Sequence, residues 1–167
     1  KRQIDIIRTD SNPEGKFLHP VSQYRQHLCV TGGEPLMITG QRAVVGIYNE
    51  LHRQSNLPGS MTFETNGTQK LSEDFKDWAR EIDTEIFFSC SPKLWNVAGE
   101  KPEKAIKPEV VADYYKASKA GQLKFVVGHQ EEHWEEMEGV ISQFREAGVM
   151  WPVWVMPVGA REEEQPA

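Results

Sequence analysis

Cysteine is scarce in this chain: Cys29 and Cys90 are the only two among 167 residues, and they form no CxxC pair. That usage argues against a disulfide scaffold and fits a reducing, cytoplasmic compartment. Neither these two cysteines nor the five histidines fall at zinc-ligand spacing. Long apolar runs are missing too. No stretch approaches the roughly 20 residues of a membrane span, and the opening Lys1-Arg2-Gln3-Ile4-Asp5 has no apolar signal-peptide core. Excess positive charge is lacking: a formal net charge of −6 argues against broad capture of nucleic acid or an anionic membrane. GxGxxG, GxxxxGK with Ser or Thr, HExxH and GxSxG do not occur. Nicotinamide dehydrogenase, P-loop and hydrolase readings thereby lose their main supports.

What is present is a regular alternation. Strand-like runs are Leu28–Thr31, Met61–Glu64, Ile86–Ser89, Leu123–Val127 and Val153–Met156. Between them, apolar residues recur at helical spacing: Val44, Ile47, Tyr48 and Leu51; Phe75, Trp78, Ala79 and Ile82; Val111, Tyr114, Tyr115 and Ser118; Trp134, Met137, Ile141 and Phe144. Thr39 and Ser72 are candidate N-caps, and Pro108 suits a first helical position. Gly121 and Gly148 are expected just past helix ends. The strands read as nearly continuous apolar segments, as in a parallel sheet covered by helices. The pattern predicts a single α/β domain over residues 28–167, of barrel or open-sheet type, behind a loop-rich segment at 1–27. In the first segment Ile4-Asp5-Ile6-Ile7 allows a short strand, and Arg161–Glu164 opens a further helical pattern.

The run Thr31-Gly32-Gly33-Glu34-Pro35-Leu36 stands at the exit of the first strand. Two glycines without Cβ atoms let main-chain groups approach a ligand closely. Exposed carbonyls and the Glu34 carboxylate are acceptors, which suits an ammonium group better than a phosphate. The next two strands deliver Glu64-Thr65-Asn66-Gly67-Thr68 and Ser89-Cys90-Ser91-Pro92-Lys93. Ligands of such folds bind where strand exits converge. Carboxylate, hydroxyl and ammonium groups are therefore expected on one rim, as a small-molecule site. Each also has a plain structural reading: Asn66-Gly67 as a turn pair, Lys93 as a solvated charge, His129 as an exposed helix-start residue, and Cys29 and Cys90 as small buried residues.

TGGEPL at 31–36 resembles the glycine-glycine-glutamate motif of radical S-adenosylmethionine (SAM) enzymes. FETNGT at 63–68 and SPKL at 91–94 resemble the second and third strand motifs of 7-carboxy-7-deazaguanine synthases within that superfamily. The likeness runs from about residue 28 to Val158-Gly159. It implies a partial (β/α) barrel of the radical SAM type and a radical lyase that converts 6-carboxy-5,6,7,8-tetrahydropterin to 7-carboxy-7-deazaguanine with loss of ammonia. That product feeds queuosine and related deazapurines. By position, Thr31 would contact the pterin; Gly32, Gly33, Ser91, Pro92 and Lys93 would line S-adenosylmethionine; and Glu34 and Glu64 would meet its polar atoms. The resemblance further implies a 4Fe–4S cluster, Mg²⁺, an electron donor such as flavodoxin or ferredoxin, and a homodimer.

The family's CxxxCxxC cluster motif has no counterpart in these 167 residues. The resemblance therefore implies an internal fragment without the first strand, its cluster loop and the closing C-terminal segment, and inactive by itself. Two other readings compete. One is an activase of glycyl-radical enzymes, which shares GGEP; the other is a cluster-less module that keeps the cofactor pocket.

Overall fold

The computed structural model describes residues 10, 12–19 and 21–159. The expectations at Ile4–Ile7 and Arg161–Glu164 lie outside the described residues. Five strands form one sheet: β1 (His27–Val30), β2 (Ser60–Thr65), β3 (Glu85–Cys90), β4 (Gly121–Val127) and β5 (Val153–Pro157). Their order is sequential and every pairing is parallel. Sequential order with right-handed crossovers sends each connecting helix to the same side of the sheet. The result is an arc of a (β/α) barrel, each strand within two residues of its sequence-predicted bounds.

The helices are α1 (Ile38–Arg53), α2 (Glu73–Glu81), α3 (Trp95–Ala98), α4 (Pro102–Ala105), α5 (Pro108–Ala117) and α6 (Glu131–Glu146). Ser72 caps α2, its hydroxyl accepting from Phe75 N at 3.2 Å, and Pro108 opens α5. Gly148 follows α6 with φ +86°, the left-handed turn that ends a helix. Thr39 is not a cap: α1 starts one residue earlier, with Met37 in the cap position and no side-chain cap bond. Gly121 does not close a helix either. It opens β4, where a Cβ would lie 2.4 Å from Trp151 Cε2.

Between sheet and helices lies an aromatic core. Phe88 stacks on Phe63 at 5.7 Å, on Tyr114 at 5.1 Å and on Trp151 at 6.0 Å between ring centroids. Truncating such a ring to alanine costs about 3–5 kcal/mol. In α6 the buried residues are His133, Met137, Val140 and Phe144, one step round from the predicted stripe. The His133 imidazole is drawn inward because its Nδ1 accepts from Gly128 N at 2.9 Å. Trp134 is left exposed, its Nε1 donating to Gly128 O at 3.0 Å.

The expected continuous burial of the strands is not found. Burial alternates strictly along β4. Leu123 and Phe125 face the helices, whereas Gln122 and Lys124 stand on the opposite, inner face of the arc. Thr62, Glu64 and Ser89 share that inner face through the β2–β3 register. The arc thus has an apolar outside covered by helices and a mixed inside, where Phe87 of β3, Val126 of β4 and Trp154 and Met156 of β5 stand beside these polar residues.

Candidate active-site cleft

The site is built from three strand exits held against one another by hydrogen bonds. At the end of β1, Gly32 and Gly33 adopt φ +93° and +58° in succession, and a Cβ on either would meet nothing within 4 Å. Their requirement is conformational rather than steric. This left-handed pair turns the chain so that the Glu34 carboxylate points back toward β2. Its Oε1 accepts from Thr65 Oγ1 at 2.7 Å and Leu36 N at 3.1 Å; its Oε2 accepts from Asn66 N at 2.8 Å. Pro35 and Leu36 are buried behind it.

Gln41, buried on α1, fixes the same loop. Its Nε2 donates to Leu36 O at 2.6 Å and Lys70 O at 2.9 Å, while its Oε1 accepts from Ser72 N at 2.9 Å. Gly40 allows α1 to seat there, because a Cβ would fall 2.2 Å from Pro35 O.

At the end of β2, Asn66 Oδ1 accepts from Thr68 N at 3.0 Å and Thr68 Oγ1 at 2.7 Å, closing a side-chain turn. Gly67 sits in this turn with φ +81°, against Cys90 Sγ and Val111. The Tyr114 hydroxyl donates to Gln69 O from below. At the end of β3, Ser91 N donates to Thr65 O at 2.7 Å and carries the parallel pairing into the loop.

These exits enclose a cleft of about 270 Å³. Thr31, Gly33, Glu64, Ser91 and Lys93 line it, together with Thr65, Asn66, Ser89 and Lys124. Five of the eight predicted residues therefore meet in one cleft. The other three stand apart from its lining: Gly32 within the same turn, Glu34 behind it in the bonds described above, and Pro92 buried beneath Ser91. Thr31 Oγ1 donates to Glu64 Oε2 at 3.3 Å, and Lys124 Nζ lies 3.8 Å from Glu64 Oε1.

Lys124 was missed by the strand-exit reading because it lies within β4 rather than past its end. The signal was there: it is the one charge in Leu123–Val127, and strand alternation sets it opposite Leu123 and Phe125. Two lysines and one carboxylate line the cleft, giving a local positive balance in a chain of net charge −6.

The cysteines differ. Cys29 is exposed on the inner face, against the expectation of a buried residue, whereas Cys90 is buried among Gly67 and the core. Burial raises the Cys90 thiol far above its ordinary range. Partial burial raises Cys29 as well; Glu64 adds to the rise and Lys124 opposes it.

Chemically, the cleft offers acceptors at Glu64 and the glycine turn, hydroxyls at Thr31, Ser89 and Ser91, and cations at Lys93 and Lys124. That set fits a zwitterionic amino-acid group, ammonium on acceptors and carboxylate on a lysine. A 4Fe–4S cluster is not fitted. Among the described residues no group of three His, Cys, Asp or Glu side chains can hold a metal ion. Nor is any described helix long and apolar enough to cross a membrane.

No family model matches the chain, and no curated protein matches it. Among solved structures, SuiB of Streptococcus suis is similar in fold. The TM-score is 0.52 at 13% identity, over 84% of this chain and 31% of that one. The chain thus spans about a third of the SuiB length, and the likeness is one of fold alone, a partial (β/α) barrel.

Proposed function

We propose that this cleft binds S-adenosylmethionine and that the chain is part of a radical SAM lyase of the 7-carboxy-7-deazaguanine synthase type. The observation that carries the reading is the convergence of three motifs. Thr31 and Gly33 of TGGEPL, Glu64 of FETNGT, and Ser91 and Lys93 of SPKL line one cleft at successive strand exits. The partial-barrel arc, with its ligand cleft at the strand exits, supports the same reading.

In this reading Lys93 holds the methionine carboxylate by a charge-assisted hydrogen bond, and the glycine turn offers its carbonyls to the ammonium group. Glu34 holds the turn in register with β2 through Thr65 and Asn66. Thr31 faces the pterin, and Glu64, expected from the motifs to meet S-adenosylmethionine, accepts from Thr31 Oγ1 and so stands between the two reactants. The inner face of the arc orients the two reactants and keeps water from the space between them. S-adenosylmethionine, when bound, supplies the radical chemistry. Among the described residues no group of three His, Cys, Asp or Glu side chains fits the cluster, and no step is assigned through it or through Mg²⁺. A flavodoxin- or ferredoxin-type donor and a homodimer belong to the same proposal.

Anaerobic incubation of the natural gene product with S-adenosylmethionine, 6-carboxytetrahydropterin and dithionite tests this. Formation of 7-carboxy-7-deazaguanine, read by mass spectrometry, is expected. 5′-Deoxyadenosine formed without that product would reject the synthase assignment while retaining the superfamily. Neither compound would reject both.

A further inference from the structure

Lys124 occupies an unusual place for a lysine. It rises from the middle of β4, one position beyond the Cys90–Leu123 register pair, and so stands level with Ser91 across the β3–β4 pairing. Its side chain is only 25% exposed. Its ammonium has three N–H donors. Among the described residues its ionic partner is Glu64, at 3.8 Å, with no hydrogen bond formed. Glu64 lies on β2, two strands away. The pair therefore spans β3, roughly 10 Å between the outer strand axes, above the buried Ser89.

An ion pair at that separation leaves donors unused on the lysine and acceptors unused on the carboxylate. Both heads open onto the cleft, where a ligand can take these unused positions. A ligand with N–H groups at one end and an anion at the other would exchange this loose pair for charge-assisted hydrogen bonds at both ends. Lys93 is the cation of the third-strand motif and serves the first reactant in the proposed function. Lys124 is a second cation, one strand further along the cleft.

We infer that Lys124 is the specificity-determining residue for the second reactant, holding its carboxylate while Glu64 accepts from its ring N–H groups. This rests on the proposed function for the identity of the ring, but the role of Lys124 follows from its place over β3 opposite Glu64. The cleft then selects a carboxylated heterocycle over the same ring without the acid.

The test is a fluorescence titration of the chain, with S-adenosylmethionine present, using pterin-6-carboxylate and unsubstituted pterin. Wild type is expected to prefer the carboxylate. Lys124→Met is expected to weaken pterin-6-carboxylate about ten- to a hundredfold while leaving pterin unchanged, and Lys124→Arg to keep the preference. Equal losses for both pterins, an unchanged preference in Lys124→Met, or a loss confined to S-adenosylmethionine would overturn the inference and leave the proposed function standing. Wild type that binds S-adenosylmethionine but neither pterin overturns the inference together with the pterin assignment. Wild type that binds none of the three overturns the site itself.

Discussion

Thr65 Oγ1 donates to Glu34 Oε1 at 2.7 Å and at the same time accepts from Gly67 N at 3.1 Å. One buried hydroxyl thus couples the glycine-glycine-glutamate turn to the asparagine-glycine turn of the neighbouring strand. Glu34 also accepts from Asn66 N and Leu36 N, so its carboxylate holds the cleft wall together. Glu34→Ala is expected to reduce S-adenosylmethionine affinity about ten- to a hundredfold and to lower stability by roughly 1–3 kcal/mol, because backbone donors lose their acceptor. Thr65→Val should lower stability by a similar amount. Calorimetric titration and urea unfolding of both variants check this; unchanged stability in each would show that the coupling carries no energy.

Gly32 and Gly67 both have positive φ, yet they should respond differently to alanine. At Gly32 a Cβ meets nothing within 4 Å, whereas at Gly67 it falls 2.7 Å from Cys90 Sγ and 3.0 Å from Val111 Cγ2. Gly32→Ala is expected to cost about 1–2 kcal/mol of backbone strain. Gly67→Ala adds overpacking and should cost roughly 2–5 kcal/mol in all. Chemical denaturation measures both, and equal losses would contradict the difference in crowding.

Much of this arrangement was legible in the sequence, because strand and turn signals are local. The five apolar runs marked the strands, and Ser72, Pro108 and Gly148 marked helix ends where the structure has them. What failed depended on distant partners. Met37 rather than Thr39 precedes α1, since the turn before it is fixed by Glu34 and Gln41. His133 displaces Trp134 from the buried stripe of α6 through its bond to Gly128 N. The short helix α3 has no period to read, and its first amides are capped by Glu136 of α6 at 2.6 and 2.9 Å. The motifs indicated which strand exits meet, but not that Glu34 would turn inward or that Lys124 would reach over β3.

Asp113 joins two helices. It lies 3.0 Å from Lys116 on α5 and 3.5 Å from Lys76 on α2. The hydrogen bond from Lys116 lowers its pKa, with Lys76 adding to the effect and burial opposing it. A depressed carboxylate stabilises the fold above its unfolded value, and the contribution is lost as pH falls through the folded one. Because the Asp113 side chain is 37% exposed, the effect should be only a few tenths of a kcal/mol. Asp113→Asn is expected to be less stable than wild type above the ordinary aspartate value of 3.8, with the gap closing in more acidic solution. A gap that widens on acidification would contradict the pairing.

The two thiols report on the cleft without any ligand. Iodoacetamide should alkylate exposed Cys29 in the folded chain and reach buried Cys90 only after unfolding. Since Glu64 raises the Cys29 pKa and Lys124 lowers it, Glu64→Gln should speed Cys29 labelling and Lys124→Met should slow it. Peptide mass spectrometry at fixed pH follows the rates. Changes of the opposite sign would mean that the two charges do not face Cys29 as described.

Cofactor binding in the cleft is tested most directly by amide chemical shifts of the ¹⁵N-labelled chain as S-adenosylmethionine is added. Saturable shifts are expected at Thr31, Gly33, Asn66, Ser91 and Lys93, with those at Ser91 and Lys93 reduced in Lys93→Met. Shifts confined to residues away from these strand exits, or none up to millimolar cofactor, would contradict the assignment of the cleft.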